Sequence, residues 1–307
     1  MVLIMSEIVK SELKKLFYAS FSENISCYEL LSIYQLFKDF NKIFPNDEEI
    51  DKWCRGMAAD INFFRKNEIE TYLKDKKKKY ELFMCENKDF FDKNVLINDY
   101  SNKSHIDKIT KLSKDNISQI IKEFLLSIDN DLYLFYQKME SEGRIIIGGE
   151  AACYFSSCGD SNNINTIEKL ETLEDIMILM HEIGHAYYNY INNVTMKEED
   201  DFQNEIKSEI PANLLAARFF EFVQKNISYE EGLYLEDVFY AVAEDYNGDR
   251  DMFNSLKYVT SFYIVQATQN VDLDIVKCFT HIHESDIFTL IYEVNNKIKI
   301  DGNQSDK

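Results

Sequence analysis

Apolar residues recur every three or four positions along most of this chain, which is the spacing of an amphipathic helix. The spacing is clear over residues 30–40 and again over residues 117–139, where it predicts one continuous helix. Only 9 Gly and 2 Pro interrupt the 307 residues. So few chain-breaking residues favour long helices over a fold of many short strands. We therefore expect a mainly α-helical fold, with an N-terminal helical region over residues 1–140.

The pattern changes at residue 141. Arg144 begins an isoleucine-rich and glycine-rich stretch that continues to Phe155, and this stretch predicts a strand or hairpin over residues 144–155. Residues 159–165 are polar and are predicted to form a loop. Helical spacing then returns and dominates to the end of the chain. Residues 141–307 are therefore expected to form a second, helical lobe with a small β-hairpin or sheet.

The composition narrows the choice of partners and compartment. A formal net charge of −20 argues against a general nucleic-acid binder and against attraction to an anionic membrane surface. The apolar runs are far shorter than the roughly 20 residues that span a bilayer, and the N-terminus lacks the basic region of a secretory signal. The six cysteines include no CxxC pair, which is typical of reduced thiols. These features predict a cytoplasmic protein.

The strongest chemical signal is the HExxH motif at residues 181–185. Thr172 and Asp175 form a predicted capping box ahead of it, so the motif lies on a predicted helix of roughly five turns. The apolar stripe of this helix consists of Leu173, Met177, Met180, Gly184, Tyr188 and Ile191. His181 and His185 are one turn apart on the same side, a spacing with which both imidazoles can bind one zinc ion. Glu182 can then act as general base on a zinc-bound water.

A catalytic zinc ion usually has three protein ligands and one open position. Glu209 is the preferred third ligand, because Ser208 to Pro211 predicts the start of a second buried helix that can approach both histidines. Its alternative role is a favourable charge at that helix start. Gly184 lacks a side chain where a neighbouring element can pack closely. The other candidate ligands are His105, His281, His283, Glu198, Glu199, Asp200, Asp201 and Glu205.

The motif at residues 181–185, followed after 23 further residues by Glu209-Ile210-Pro211-Ala212, resembles the thimet oligopeptidase/oligopeptidase F family of zinc peptidases (family M3). Residues 148–155 resemble the strand region that lines the substrate cleft in that family, and residues 258–266 resemble its tyrosine-rich segment. The resemblance covers roughly residues 143–270. It implies a gluzincin-type helical catalytic lobe, one Zn²⁺ per chain held by His181, His185 and Glu209, and short peptides as substrates.

The chain also departs from the family pattern. Tyr188 and Ala216 stand where members usually carry a further His and often a further Glu. Leu256 and Val265 replace the His and the last Tyr of the tyrosine-rich segment, and that Tyr is a transition-state donor in the family. The resemblance leaves Tyr258, and after it Tyr263, as candidate donors to the oxyanion, and aromatic core residues are the alternative role for both.

These residues predict a zinc-dependent endopeptidase or oligopeptidase with Glu182 as general base. Two other functions stay open at this point: a catalytically weak or inactive zinc-containing protein that binds peptides in a regulatory role, and a hydrolase of non-peptide amides. The role of His281 and His283 is undecided from the sequence as well. The two rings share a face on a strand but diverge on a helix, and the pair can form a second metal site, a substrate contact or a solvated turn.

Overall fold

The computed structural model describes residues 11, 13–38, 40, 48–86, 111–148, 153–155, 164–194, 202–248, 258, 260–262, 264–265, 274–287, 289–290 and 292–293. Most of these residues are helical, so the predicted mainly α-helical class is confirmed. Within them, no helix combines the length and the apolar composition that crossing a membrane requires.

Long helices make up most of the described chain, and one small sheet lies between the fourth and the fifth of the helices named here. The helices are α1 (Cys27–Lys38), α2 (Glu48–Glu86), α3 (Lys114–Ile128), α4 (Asn130–Ser141), α5 (Leu173–Asn192), α6 (Phe202–Asn226), α7 (Tyr229–Gly248) and α8 (Ile275–Glu284). The strands are β1 (Ile145–Ile147), β2 (Cys153–Phe155) and β3 (Ile164–Ile167). Further helical residues at 258, 260–262, 264 and 265 are called the Tyr258 segment below.

Two clusters of buried apolar side chains stabilise the described residues. The first joins residues near the N-terminus to α1 and to the first half of α2. The second is larger and combines α3 to α8 with the Tyr258 segment and with Phe83 near the end of α2. Residues 114–141 therefore share a core with the helices that follow the sheet. The division at residue 140 stays a prediction.

The single helix predicted over residues 117–139 is wrong, because α3 ends and α4 begins at Asp129. This residue has an extended backbone, with φ −163° and ψ 140°. Its carboxylate accepts hydrogen bonds from the backbone N–H of Asp131 at 2.7 Å and of Leu132 at 3.1 Å. An aspartate that caps a following helix in this way competes with continuation of the preceding one. The apolar spacing continues through the break, which is why it did not reveal two helices.

The β element is a three-stranded sheet in the order β1-β3-β2, not a hairpin. β1 runs parallel to β3, and β2 runs antiparallel to it. The central strand β3 begins at Ile164, so the loop prediction is wrong for residues 164 and 165, and its other residues, 159–163, lie outside the described residues. β3 is short and carries Asn165 and Thr166 between two isoleucines, which hides its strand character in the sequence. Both β2 and β3 lie against α5.

Candidate metal centre

Helix α5 presents the HExxH motif from the interior of the molecule. Its predicted capping box is confirmed: the Thr172 hydroxyl accepts from the Asp175 N–H at 3.2 Å, and the Asp175 carboxylate accepts from the Thr172 N–H at 2.9 Å. The helix spans Leu173–Asn192 and ends at Asn193 in the left-handed conformation (φ 49°). Its predicted apolar stripe is buried from Leu173 to Tyr188. The helix that carries the motif therefore has a capped N-terminus, and buried residues precede and follow the motif.

The structure brings His181, His185 and Glu209 together. The two Nε2 atoms are 3.2 Å apart, and the two rings are nearly perpendicular, with an interplanar angle of 85°. Glu209 Oε2 lies 3.6 Å from His181 Nε2 and 3.5 Å from His185 Nε2. The Glu209 side chain is only 5% exposed, whereas that of His181 is 20% exposed. The cluster is therefore closed on the α6 side and more open at His181.

The edges of this triangle fit a tetrahedral zinc ion. Ligand atoms about 2.0–2.1 Å from such an ion lie about 3.3–3.4 Å from one another. The three measured separations, 3.2, 3.5 and 3.6 Å, surround that value. Two imidazoles and a carboxylate are also ligands that zinc prefers. Glu182, which follows His181 in the motif, is buried as well, so the site has two buried carboxylates. Carboxylates buried beside imidazoles are typical of a site that holds a cation.

Glu209 reaches the histidines because α5 and α6 come unusually close at Gly184. A Cβ atom on Gly184 would lie 2.6 Å from the Cα of Ala212 and 2.9 Å from the carbonyl oxygen of Pro211. These distances are far below ordinary contact, so any side chain at this position would push the helices apart. The sequence-based expectation of close packing at Gly184 is confirmed, and its neighbour is the turn of α6 that follows Glu209.

The sequence predicts that the helix carrying Glu209 begins near Ser208, and this prediction is wrong. The helix begins at Phe202, and Pro211 lies in its interior. Pro211 has no N–H, so it cannot donate to the Lys207 carbonyl four residues earlier. Because Glu209 is two turns inside the helix, the alternative role as a charge at the helix start is excluded. A first-turn position is the commonest place for proline in a helix, which is why the sequence around Pro211 predicts a helix start there.

Buried polar contacts hold α8 against both helices of the cluster. Lys207 Nζ donates to the carbonyl oxygens of His283 at 3.0 Å and of Ser285 at 2.9 Å, at the C-terminal end of α8. His283 Nδ1 also lies 3.4 Å from the hydroxyl of Tyr188, one turn beyond His185. A lysine at the end of a helix satisfies carbonyl groups that have no partner within the helix. Sequence reasoning missed Lys207, because it stands among the polar residues between Asn204 and Glu209 and nothing in the sequence marks it as buried.

The remaining sequence-predicted residues have varied positions. His281 and His283 lie on a helix, so their rings diverge, and His281 contacts Glu293 at 3.0 Å. Among the described residues, neither belongs to a cluster of three or more metal-binding groups. Glu205 forms an ion pair with Lys76 of α2. The candidates at positions 105, 198–201 and 263 lie outside the described residues.

Tyr258 is described, and it is half-buried on its helical segment. That segment is joined to α6 by a hydrogen bond from Asn213 Nδ2 to Ser261 Oγ at 2.6 Å. Asn213 is one helical turn after Glu209, so the bond attaches the segment that contains Tyr258 to α6 one turn from the proposed ligand. Sequence reasoning also missed Asn213. A polar residue four positions after a ligand in an otherwise apolar stripe was the available signal.

Comparison with known proteins adds no relative. No protein-family model, no curated protein and no solved structure is detectably similar to this chain.

Proposed function

We propose that this protein is a zinc-dependent peptidase that hydrolyses short peptides. The single observation that carries the proposal is the convergence of His181 Nε2, His185 Nε2 and Glu209 Oε2 within 3.2–3.6 Å on two helices in close contact. The resemblance of residues 143–270 to thimet oligopeptidase and oligopeptidase F supports peptides as the substrate class and a gluzincin-type arrangement of the lobe.

The ligand set favours a catalytic zinc site over a structural one. A structural zinc ion is normally closed by four protein ligands, whereas a catalytic one has three and an open position. Among the described residues, the cluster contains three ligand-bearing side chains. Its histidine side is also the more exposed one. This favours an enzyme over a non-catalytic peptide-binding protein in which zinc only supports the fold.

The residues of the site divide the work of amide hydrolysis among them. His181, His185 and Glu209 would hold the zinc ion, which when bound would supply a Lewis acid that acidifies water and polarises the scissile carbonyl. Glu182 accepts the proton of the water whose oxygen attacks the carbonyl carbon, and it delivers that proton to the amine nitrogen as the C–N bond breaks. The Tyr258 hydroxyl donates a hydrogen bond to the carbonyl oxygen as it becomes negative, and Tyr263 is the second candidate for this role.

The test compares wild type with Glu182→Gln on a defined mixture of short peptides, read by mass spectrometry, with zinc content measured on both samples. The amide keeps the shape of the carboxylate but accepts no proton. We expect equal zinc content and a loss of cleavage of about 10²–10⁴-fold, the usual contribution of a general base. Glu174→Gln is the matched control on α5, since its side chain accepts from the Tyr234 hydroxyl at 3.1 Å in the first turn.

Cleavage by wild type and Glu174→Gln, but not by Glu182→Gln, supports the peptidase. Zinc-loaded wild type that cleaves no peptide overturns it. A parallel panel of non-peptide amides then decides between a different amide substrate and a binding protein. Wild type that binds no zinc removes the basis of the proposal altogether.

A further inference from the structure

One buried hydrogen-bond chain connects the glutamate helix to the tyrosine that the proposed reaction uses. Asn213 and Ser261 are 2% and 0% exposed. The Asn213 amide donates to Ser261 Oγ at 2.6 Å, and Ser261 Oγ donates to the Tyr258 carbonyl oxygen at 2.9 Å. The first bond joins residues that are 48 positions apart in the sequence. The second is local to the Tyr258 segment, so Asn213 supplies the connection between the two elements.

The direction of this chain is fixed by the protons available. A serine hydroxyl has one proton to donate, and here it is directed at the Tyr258 carbonyl. Ser261 must therefore accept from its other partner. An asparagine amide can donate this bond, whereas an ionised aspartate of the same shape cannot. The position thus requires a donor, not merely a polar side chain of the right size.

The surrounding apolar contacts pack the Tyr258 segment into the core but do little to fix its position relative to α6. Phe262 packs edge-on against Phe239, with ring centroids 4.7 Å apart, and Val265 is buried in the same core cluster. Apolar surfaces tolerate small shifts, but a buried hydrogen bond specifies one arrangement. Because Asn213 and Glu209 are four residues apart on one helix, the bond sets the Tyr258 segment relative to the ligand cluster.

We propose that Asn213 is a positioning residue that holds Tyr258 in register with the metal cluster through Ser261. This inference rests on the proposed peptidase function for its kinetic consequence. Its structural consequence does not need that function: the Tyr258 segment should loosen when Asn213 can no longer donate, while the ligands of the cluster stay in place.

The experiment uses the full-length protein carrying Asn213→Asp. Asn226→Asp is the matched control, because Asn226 lies on the same helix and donates to the Phe222 carbonyl at 2.9 Å from an exposed position. Four quantities are measured: zinc affinity, amide hydrogen exchange of residues 258–265, and both kcat and KM for a cleaved peptide. Each variant is also made in a Tyr258→Phe background.

We expect Asn213→Asp to bind zinc at least as tightly as wild type, because the added negative charge attracts the cation, and the Tyr258 segment to exchange at least tenfold faster. We also expect kcat to fall about 10-fold or more with little change in KM, because a misplaced catalytic group is costly. In the Tyr258→Phe background the same change should lower kcat no further. Ser261→Ala should reproduce these effects, and Asn226→Asp should show none of them.

Unchanged exchange in Asn213→Asp overturns the proposal, whether or not the protein cleaves peptides. A fall in kcat that multiplies with that of Tyr258→Phe also overturns it, since Asn213 would then act independently of the tyrosine. A protein that cleaves no peptide but shows faster exchange at full zinc affinity keeps the positioning role and removes only the peptidase.

Discussion

Gly184→Ala tests the geometry on which the metal cluster depends. The new Cβ atom would stand 2.6 Å from the Cα of Ala212 and 2.9 Å from the Pro211 carbonyl oxygen. Both neighbours are backbone atoms, so no side-chain rotation relieves the overlap. Ordinary carbon–carbon contact is about 3.5–4.0 Å, and α5 and α6 must therefore separate by roughly 1 Å.

The separation acts on the two edges of the ligand triangle that cross between the helices. These edges, from Glu209 Oε2 to the Nε2 atoms of His181 and His185, are 3.6 and 3.5 Å long. A shift of roughly 1 Å along them gives about 4.5 Å, well beyond the 3.3–3.4 Å or so that a tetrahedral zinc ion requires. Because metal–ligand distances tolerate only about ±0.2 Å, we expect zinc affinity to fall at least 10–100-fold.

The same overlap lowers the stability of the metal-free protein. Overpacking of this kind costs about 1–3 kcal/mol, against a gain of about 1 kcal/mol from replacing a helical glycine by alanine. The control is Gly56→Ala on α2, where an added Cβ has no neighbour within 4 Å. The free energy of unfolding of this control should rise by about 0.5–1 kcal/mol, so its urea midpoint should be higher. It should bind zinc as wild type does.

The assay is calorimetric zinc titration of metal-free protein, followed by urea unfolding of the same metal-free samples. Removing the metal first separates the stability change from the stabilisation that a bound ligand confers. If Gly184→Ala binds zinc within twofold of wild type and gains stability as Gly56→Ala does, the close approach of α5 and α6 does not define the site.

Two further predictions concern α5 itself. Thr172→Ala removes the capping hydroxyl and should lower the free energy of unfolding by about 0.5–2 kcal/mol. Thr172→Ser keeps a hydroxyl and should keep the wild-type stability. Equal urea midpoints for the two variants would contradict the capping role. Burial, reinforced by Asp129 and Asp131, raises the pKa of Tyr187 to about 12. The folded-state pKa lies above the unfolded value of about 10, so the stabilisation from the neutral Tyr187 is complete below about pH 10 and is lost as pH rises towards about 12. Phenylalanine cannot ionise, so Tyr187→Phe should resist alkaline unfolding in that window. Equal loss of stability in wild type and Tyr187→Phe between those pH values would contradict this.

The elements of the fold that follow from local signals were predictable. Helix α5 is the clearest case, since its capping box and apolar stripe lie within twenty or so consecutive residues. The motif, its helix and the burial of its apolar side need no knowledge of the rest of the chain. Glu209 was accessible from the apolar helical pattern that follows it and from the family resemblance, although the helix start expected there is wrong.

The signals that failed are ambiguous when taken alone. Pro211 is compatible with a first helical turn, and its interior position follows only from packing along the whole of α6. Asp129 lies within continuous helical spacing, and its role as a cap appears only once the backbone extends there. The central position of β3 depends on pairing with two strands that come earlier in the sequence, which no local pattern of four residues encodes.

Three polar residues on one face of α6 connect this helix to the HExxH helix and to other parts of the molecule. Glu205, Glu209 and Asn213 follow one another at intervals of four residues, and each contacts a different part of the molecule. Glu205 pairs with Lys76 of α2, Glu209 approaches the histidines of α5, and Asn213 holds the Tyr258 segment. Polar residues at this interval in a buried helix are costly unless each has a partner, so the interval itself indicates three contacts. The helix that carries the proposed third ligand therefore also fixes the parts of the chain around it, and a shift of α6 should alter all three together.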